Sequence, residues 1–261
     1  FDRQYSRNTF PDDEVIGLGL SDRAIFTEAL NIFKKTDGPF YAFIVTLSGH
    51  HPYNFEGLND GSFPLPVEMK NTLLGDYLMA MNYFDRELGR FLEGLSASDL
   101  DKKTLIVLYG DHPAVPIAYK EEMEKLIGRK LEETIEWKET RRVPLIFSIP
   151  GEKAMKGTVY TDTGQMDILP TAASLLGVKV ETCFGKDLSL DNGPDPVIFR
   201  NGSYIIDGVF VEPAVKRATR IGTHELIDAS EYDEITKEVD LILSYNDLIL
   251  EKNLISDILN R

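Results

Sequence analysis

Three of the four histidines in this 261-residue chain fall in two short strings, His50 and His51 in LSGHHPY and His112 in LYGDHP. Imidazole is a nitrogen ligand, a hydrogen-bonding group and a proton carrier near neutral pH, so its clustering behind apolar runs points to a chemical site. In the second string Asp111 precedes His112. The pair offers one carboxylate oxygen and one imidazole nitrogen to a divalent ion such as manganese or zinc. Asp-His pairs also occur as plain turn or capping residues, and a His-Pro loop can simply satisfy backbone groups at a sheet end. What separates these options is where the two strings sit in the fold.

Other residues carry weaker chemistry. Ser48 and Thr46 precede the histidines, but no GxSxG elbow surrounds them, which disfavours a serine nucleophile. Asp85 and Arg86 read as an exposed turn of helix ahead of a supporting pair. Trp137 and Tyr119 read as packing residues. His224, in GTHEL, belongs to a later region and is left out of the site.

The elements that must hold the strings are legible as patterns. FYAFIVTL (Phe40 to Leu47) and TLIVLYG (Thr104 to Gly110) are apolar runs rich in β-branched and aromatic residues, and they read as buried parallel strands. VPLIFSIP (Val143 to Pro150) has the same character. Between the first two, Leu74, Leu78, Met81, Phe84, Leu88, Phe91 and Leu95 recur at helical spacing and predict a crossover helix. This pattern predicts an α/β fold with a doubly wound, mixed and mostly parallel sheet. In such a sheet ligands gather at the carboxyl ends of the strands, where both histidine strings lie.

DILPTAASLLGV (Asp167 to Val178) predicts a short packing helix, with Pro170 in its first turn and Gly177 past its end. The turn-rich DNGPDP string, Asp191 to Pro196, marks a boundary between an α/β core over 1–192 and a small subdomain over 193–261. In the latter, PVIFR, SYIIDGVF and AVKRATRIG predict a small antiparallel sheet. The stretch from Tyr232 to Leu259 predicts a long closing helix.

Composition excludes several classes. A formal charge of -15, from 43 acidic and 28 basic residues, argues against nucleic acid as a partner, because phosphate backbones are held by clustered Lys and Arg. Cys183 stands alone, so no intrachain disulfide forms and the redox compartment stays open. No apolar run approaches the roughly 20 residues that span a bilayer. The chain opens on Phe1 without a signal peptide, and it reads as a segment of a longer protein whose targeting information lies upstream.

Taken in order, PFYAFIVTLSGHHPY, LIVLYGDHPAVP, RRVPLIFSIPG, TGQMDILPTAASLLGV and FRNG (Phe199 to Gly202) resemble the alkaline phosphatase and sulfatase superfamily. Within it they resemble the lipoteichoic acid synthase and phosphoglycerol transferase branch. The resemblance implies one divalent cation, typically Mn2+, held by a glutamate, a catalytic threonine and an adjacent Asp and His. Asp111 and His112 match the last two. Alignment on SGH places a head-group-binding histidine on His50, with His51 lining the same wall or filling space.

By the same resemblance the glutamate and nucleophilic threonine precede Phe1. No catalytic residue is then expected within the chain, which alone should not turn over. The parent enzyme would take glycerol phosphate from phosphatidylglycerol and pass it to the hydroxyl of a glycerol phosphate polymer or a glycan. It would do so on the extracellular or periplasmic face of a bacterial membrane, anchored by N-terminal helices. Two alternatives stand beside this. One is a sulfatase or phosphoethanolamine transferase of the same superfamily; the other is a noncatalytic ectodomain that binds a polymer or partner.

Overall fold

Two amphipathic helices, α1 (Asp22–Lys34) and α2 (Leu73–Ser96), frame the part of the molecule that carries the histidines. The computed structural model describes residues 1–11, 14–59, 61–131, 142–150, 156–180, 182–190 and 195–255. These fall into two compact units, one up to residue 150 and one from residue 156. The boundary read from the sequence at 192/193 has its string at 191–194 outside the described residues, as does Trp137.

In the first unit, a hairpin of β1 (Val15–Ile16) and β2 (Gly19–Leu20) leads into α1. Ser21 caps that helix, its hydroxyl oxygen accepting the Ala24 N–H at 3.0 Å, and Thr72 caps α2 by accepting from Gly75 at 3.1 Å. Each cap satisfies an N–H that the first helical turn cannot pair internally. The helices meet through Phe26 and Phe91, stacked 4.9 Å apart, with Ala29 and Leu95 buried beside them. Ile44 and Ile106 pack on this cluster, which anchors the two apolar runs that lead to the histidine loops. Burial of a side chain of this size contributes about 1.5–3 kcal/mol, so the anchor is substantial.

The helix expected from Leu74 to Leu95 forms, although its buried stripe includes Met79, Ala80 and Tyr83 rather than the full set of Leu78, Met81, Phe84 and Leu88, and no parallel strand pair among the described residues makes it a crossover. Helix α1 is not among the elements read from the sequence.

The second apolar run forms β3 (Ile106–Tyr109), followed by α3 (Lys120–Ile127) and then β4 (Leu145–Ser148) from the third run. Strands β3 and β4 pair antiparallel, from Ile106 opposite Ser148 to Tyr109 opposite Leu145. For this pair the parallel direction expected of the apolar runs does not hold, and every ladder among the described residues is antiparallel, while the α/β character of the unit stands. An apolar run signals a strand but carries no information on the direction of its neighbour. Strand β4, alternating half-buried and exposed, has one face covered, as antiparallel strands often do.

A second correction concerns Phe40 to Leu47. The run is free of any ladder among the described residues, and Tyr41, Phe43 and Val45 are 75, 54 and 56 % exposed while Ile44 faces the core. From Phe43 to Thr46 exposed and half-buried residues alternate in the period-2 manner of an extended chain, whereas the residues from Phe40 to Phe43 are all exposed. Local preference extends the backbone, but a ladder also needs a neighbouring strand.

In the second unit, α4 (Ile168–Leu175) follows the buried Asp167, whose carboxylate accepts from Gly164 and Lys186 at 2.8 and 2.9 Å. An antiparallel meander then runs through β5 (Val197–Ile198), β6 (Tyr204–Ile206), β7 (Val209–Glu212), β8 (Arg217–Arg220) and β9 (Leu226–Ile227). SYIIDGVF is thus two strands, joined at Asp207 and Gly208, both with positive φ. Asp-Gly is the pair that a tight hairpin turn favours. Helix α5 (Asp233–Lys252) inserts the fully buried Val239 against Tyr204, Val209, Val211 and Ala218. No described helix is long and apolar enough to cross a membrane.

Candidate functional site

The loop that carries His50 is locked to the start of α1 by a reciprocal set of bonds. Asp22 Oδ1 accepts the N–H groups of Leu47 and Ser48 at 2.9 and 3.0 Å, while Ser48 Oγ accepts the Asp22 N–H at 2.9 Å. Asp22 and Ser48 are both fully buried. Burial pushes the Asp22 carboxyl above its ordinary value, and the bonds from Ser48 and Leu47 pull the other way. Its Oδ2 has no hydrogen-bond partner among the described residues. Ser48, set aside above as a nucleophile, is a buried structural acceptor. The chain then turns back, with the His50 N–H on the Leu47 carbonyl and the Tyr53 N–H on the His50 carbonyl.

The second loop begins where the β3–β4 ladder ends. Gly110 donates its N–H to the Pro144 carbonyl at 3.1 Å, and a Cβ at Gly110 would stand 2.7 Å from the Val143 Cβ. Only glycine permits that approach. Asp111 and His112 follow at once, and the His112 N–H donates to Asp111 Oδ1 at 2.9 Å.

The two loops converge. The rings of His50 and His112 stand edge to face, with centroids 6.3 Å apart and planes at 84°. His50 Nδ1 lies 2.9 Å from the His51 carbonyl and His112 Nδ1 lies 3.0 Å from the Pro113 carbonyl. A carbonyl only accepts, so each Nδ1 carries the proton and each Nε2 keeps its lone pair in the neutral ring. His51 turns the other way, its ring edge-on to Tyr53 at 5.6 Å. His50, His51, Asp111 and His112 are all exposed, which gives an open, accessible rim.

Asp111 Oδ1 and His112 Nε2 are 3.8 Å apart. Two bonds of about 2.1 Å to one cation span up to about 4.2 Å, so this pair fits a shared divalent ion. It supplies two donors. No group of three or more His, Cys, Asp or Glu is placed to hold a metal among the described residues. A hard cation takes more than two protein or solvent ligands, so this half-set needs completion from elsewhere.

Sequence reasoning missed Asp22 and Tyr53. The Ser21-Asp22 step before an apolar periodic stretch is a helix-start signature that could have located α1, but nothing local links Asp22 to residues 47 and 48. Tyr53 is 3 % exposed and donates its hydroxyl to the Ala114 carbonyl at 2.6 Å, bridging the two loops. Burial, with Tyr77 nearby, pushes its phenol up, so it stays a protonated donor.

Arg86 bonds the buried Glu87 and lies 5.4 Å over the Tyr83 ring, while Asp85 is exposed. Arg86, but not Asp85, lines a cavity of about 470 Å³ together with Glu14, Arg23, Glu87 and Arg90, and the histidines lie outside it. There Glu14 pairs with Arg23, and Glu87 pairs with Arg86 and Arg90. His224 lies in the second unit, in the turn between β8 and β9.

The sulfatase family model matches residues 1–178. Lipoteichoic acid synthase 1 of Bacillus subtilis is 29 % identical over 260 residues, which cover 98 % of this chain and 40 % of that protein. The lipoteichoic acid synthase of Staphylococcus aureus is 28 % identical over 251 residues, 93 % of this chain and 37 % of that protein. The chain therefore spans about two fifths of the length of these relatives. Among solved structures, the lipoteichoic acid synthase LtaP of Listeria monocytogenes superposes with a TM-score of 0.84 at 28 % identity, over 96 % of this chain and 64 % of that one. An alkaline phosphatase superfamily protein from Vibrio parahaemolyticus gives a TM-score of 0.67 at 19 % identity, a likeness of fold.

Proposed function

This chain belongs to the sulfatase family, and from that premise we propose that it forms one half of a metal-dependent phosphoglycerol transferase site. The observation that carries the reading is the meeting of His50 with His112 at one rim, with Asp111 beside them. Asp111 and His112 would hold a divalent cation, Mn2+ in the first instance, together with ligands from a longer protein. When bound, such a cation acts as a Lewis acid on a phosphoryl oxygen and favours an ionised nucleophile.

The residues of this chain then have distinct tasks. His112 keeps its Nε2 lone pair for the cation because the Pro113 carbonyl holds its Nδ1 proton. His50, with Nδ1 held by the His51 carbonyl, offers Nε2 as an acceptor for a hydroxyl of a glycerol phosphate head group. His51 lines the approach. The exposure of all four groups suits a head group presented at a membrane surface. The donor is phosphatidylglycerol and the acceptor is a hydroxyl of a glycerol phosphate polymer or a glycan. The nucleophile, a threonine, comes from outside the chain, in a membrane-anchored protein that works on the outer face of a bacterial membrane.

The test uses vesicles of phosphatidylglycerol labelled in the head group, with Mn2+ and the longer protein in normal and His112→Ala forms. Release of diacylglycerol by the former and its loss in the latter is the expected result. Hydrolysis of aryl sulfates or of phosphoethanolamine lipids in place of phosphatidylglycerol would sink the reading. The 261-residue chain alone should release nothing.

A further inference from the structure

The approach of His50 to His112 needs something to hold it, since the rings themselves are exposed and make only an edge contact. Tyr53 is placed to do this. Its backbone adopts φ +71°, a left-handed conformation that non-glycine residues rarely take, and this turn goes with a side chain buried in the core. There it packs with Ile16, Leu58, Ala80 and Tyr83, and its ring meets Tyr77 at 5.2 Å. From that seat the hydroxyl donates to the carbonyl of Ala114, and Ala114 packs on the same cluster. The tie thus joins a residue three places after His50 to one two places after His112. The Tyr53 N–H also holds the His50 carbonyl, and its ring holds the edge of His51.

We propose that Tyr53 is the positioning residue of this site, its hydroxyl setting the separation of His50 from the Asp111–His112 pair. Its side-chain contacts are to Ala114, His51 and the core, so its role is exerted through the histidine loops. Its weight in catalysis rests on the transferase reading, whereas its effect on geometry does not. A group that fixes two loops through one buried bond on a rigid core gives the tolerance of about 0.5 Å that a working site needs.

The test is Tyr53→Phe, which keeps the ring and its packing and removes the tie. The first readout is the NMR cross-peak between the ring protons of His50 and His112 in the histidine-labelled chain. In the variant this cross-peak should be lost or sharply weakened, while contacts from the ring at 53 to Tyr77 and Leu58 persist. Tyr77→Phe, which removes a neighbouring hydroxyl and leaves the tie in place, should keep the cross-peak. In the longer enzyme, Tyr53→Phe should lower kcat on the order of tenfold with little change in KM. An unchanged cross-peak in Tyr53→Phe, or equal loss in Tyr77→Phe, overturns the proposal. Because the cross-peak does not depend on turnover, an inactive parent protein with the expected cross-peak response would count against the transferase reading alone.

Discussion

The His50 imidazole stands edge-on to that of His112, 6.3 Å between ring centres, although the two belong to loops launched from different parts of the chain. One loop is pinned by Asp22 and Ser48 and the other by the end of the β3–β4 ladder, so the meeting is a product of the fold. Its consequences for metal binding, head-group binding and stability can be measured separately.

Asp111→Ala and His112→Ala each remove one of the two donors 3.8 Å apart. Calorimetric titration of the longer protein with Mn2+ should show affinity falling by about a hundredfold or more in either variant, beyond what loss of an outer hydrogen bond causes. Retained affinity in both would place the metal elsewhere.

His50→Ala should act differently. The residue is assigned to the head group, so Mn2+ affinity should hold while KM for phosphatidylglycerol rises about tenfold, the equivalent of one lost hydrogen bond of 1–1.5 kcal/mol. Initial rates across a range of lipid concentrations decide this. A pure loss of metal affinity would remove His50 from the substrate wall.

Asp22→Ala leaves the Leu47 and Ser48 amides without their acceptor and should cost about 2–4 kcal/mol, read as a lower urea midpoint. Asp22→Asn keeps an acceptor and removes the buried charge. Because burial raises the Asp22 pKa, the folded state binds its proton more tightly than the unfolded chain does. Its contribution to stability is therefore greatest in acid and declines as pH rises from the ordinary aspartate range through the raised value. The difference between the original chain and Asp22→Asn should show that decline, with the Asn form gaining relative stability toward neutral pH. A difference independent of pH would contradict the assignment.

Gly110→Ala should distort the end of the β3–β4 ladder, since the new methyl would sit 2.7 Å from the Val143 Cβ. Overpacking of this kind costs about 1–3 kcal/mol. Amide shifts at Asp111 and His112 larger than those at Tyr41 or Lys102 would show that the strain reaches the site.

In the second unit, Val239→Ala empties a fully buried position against Tyr204 and Val211. The expected loss is about 2 kcal/mol, visible as an earlier loss of α5 helicity in denaturant. A change below a few tenths would mean that the cluster is not the core of that unit.

Much of this molecule could be read without coordinates. The helical spacing from Leu74 to Leu95 located α2 because an amphipathic period of 3.6 is a property of the local sequence. Asp-Gly at 207 and 208 carries the hairpin between β6 and β7, a signal present in the letters yet passed over in a run read as one strand. The exposure of Tyr41, Phe43 and Val45 was not readable as such, because exposure depends on what lies alongside.

For the site, residue chemistry was local and geometry was not. The types and order of His50, His51, Asp111 and His112, and the motifs around them, lie in the chain itself, since ligand chemistry belongs to the side chain. Tertiary structure alone decided that His50 faces His112 while its neighbour His51 turns to Tyr53, and that β3 meets β4 head to tail. It also turned Asp22, Ser48 and Tyr53 into the supports of that rim. Those outcomes rest on hydrogen bonds between residues far apart in sequence, such as Asp22 to Ser48 and Tyr53 to Ala114. No period, propensity or spacing along a chain encodes a bond of that kind until packing brings the partners together.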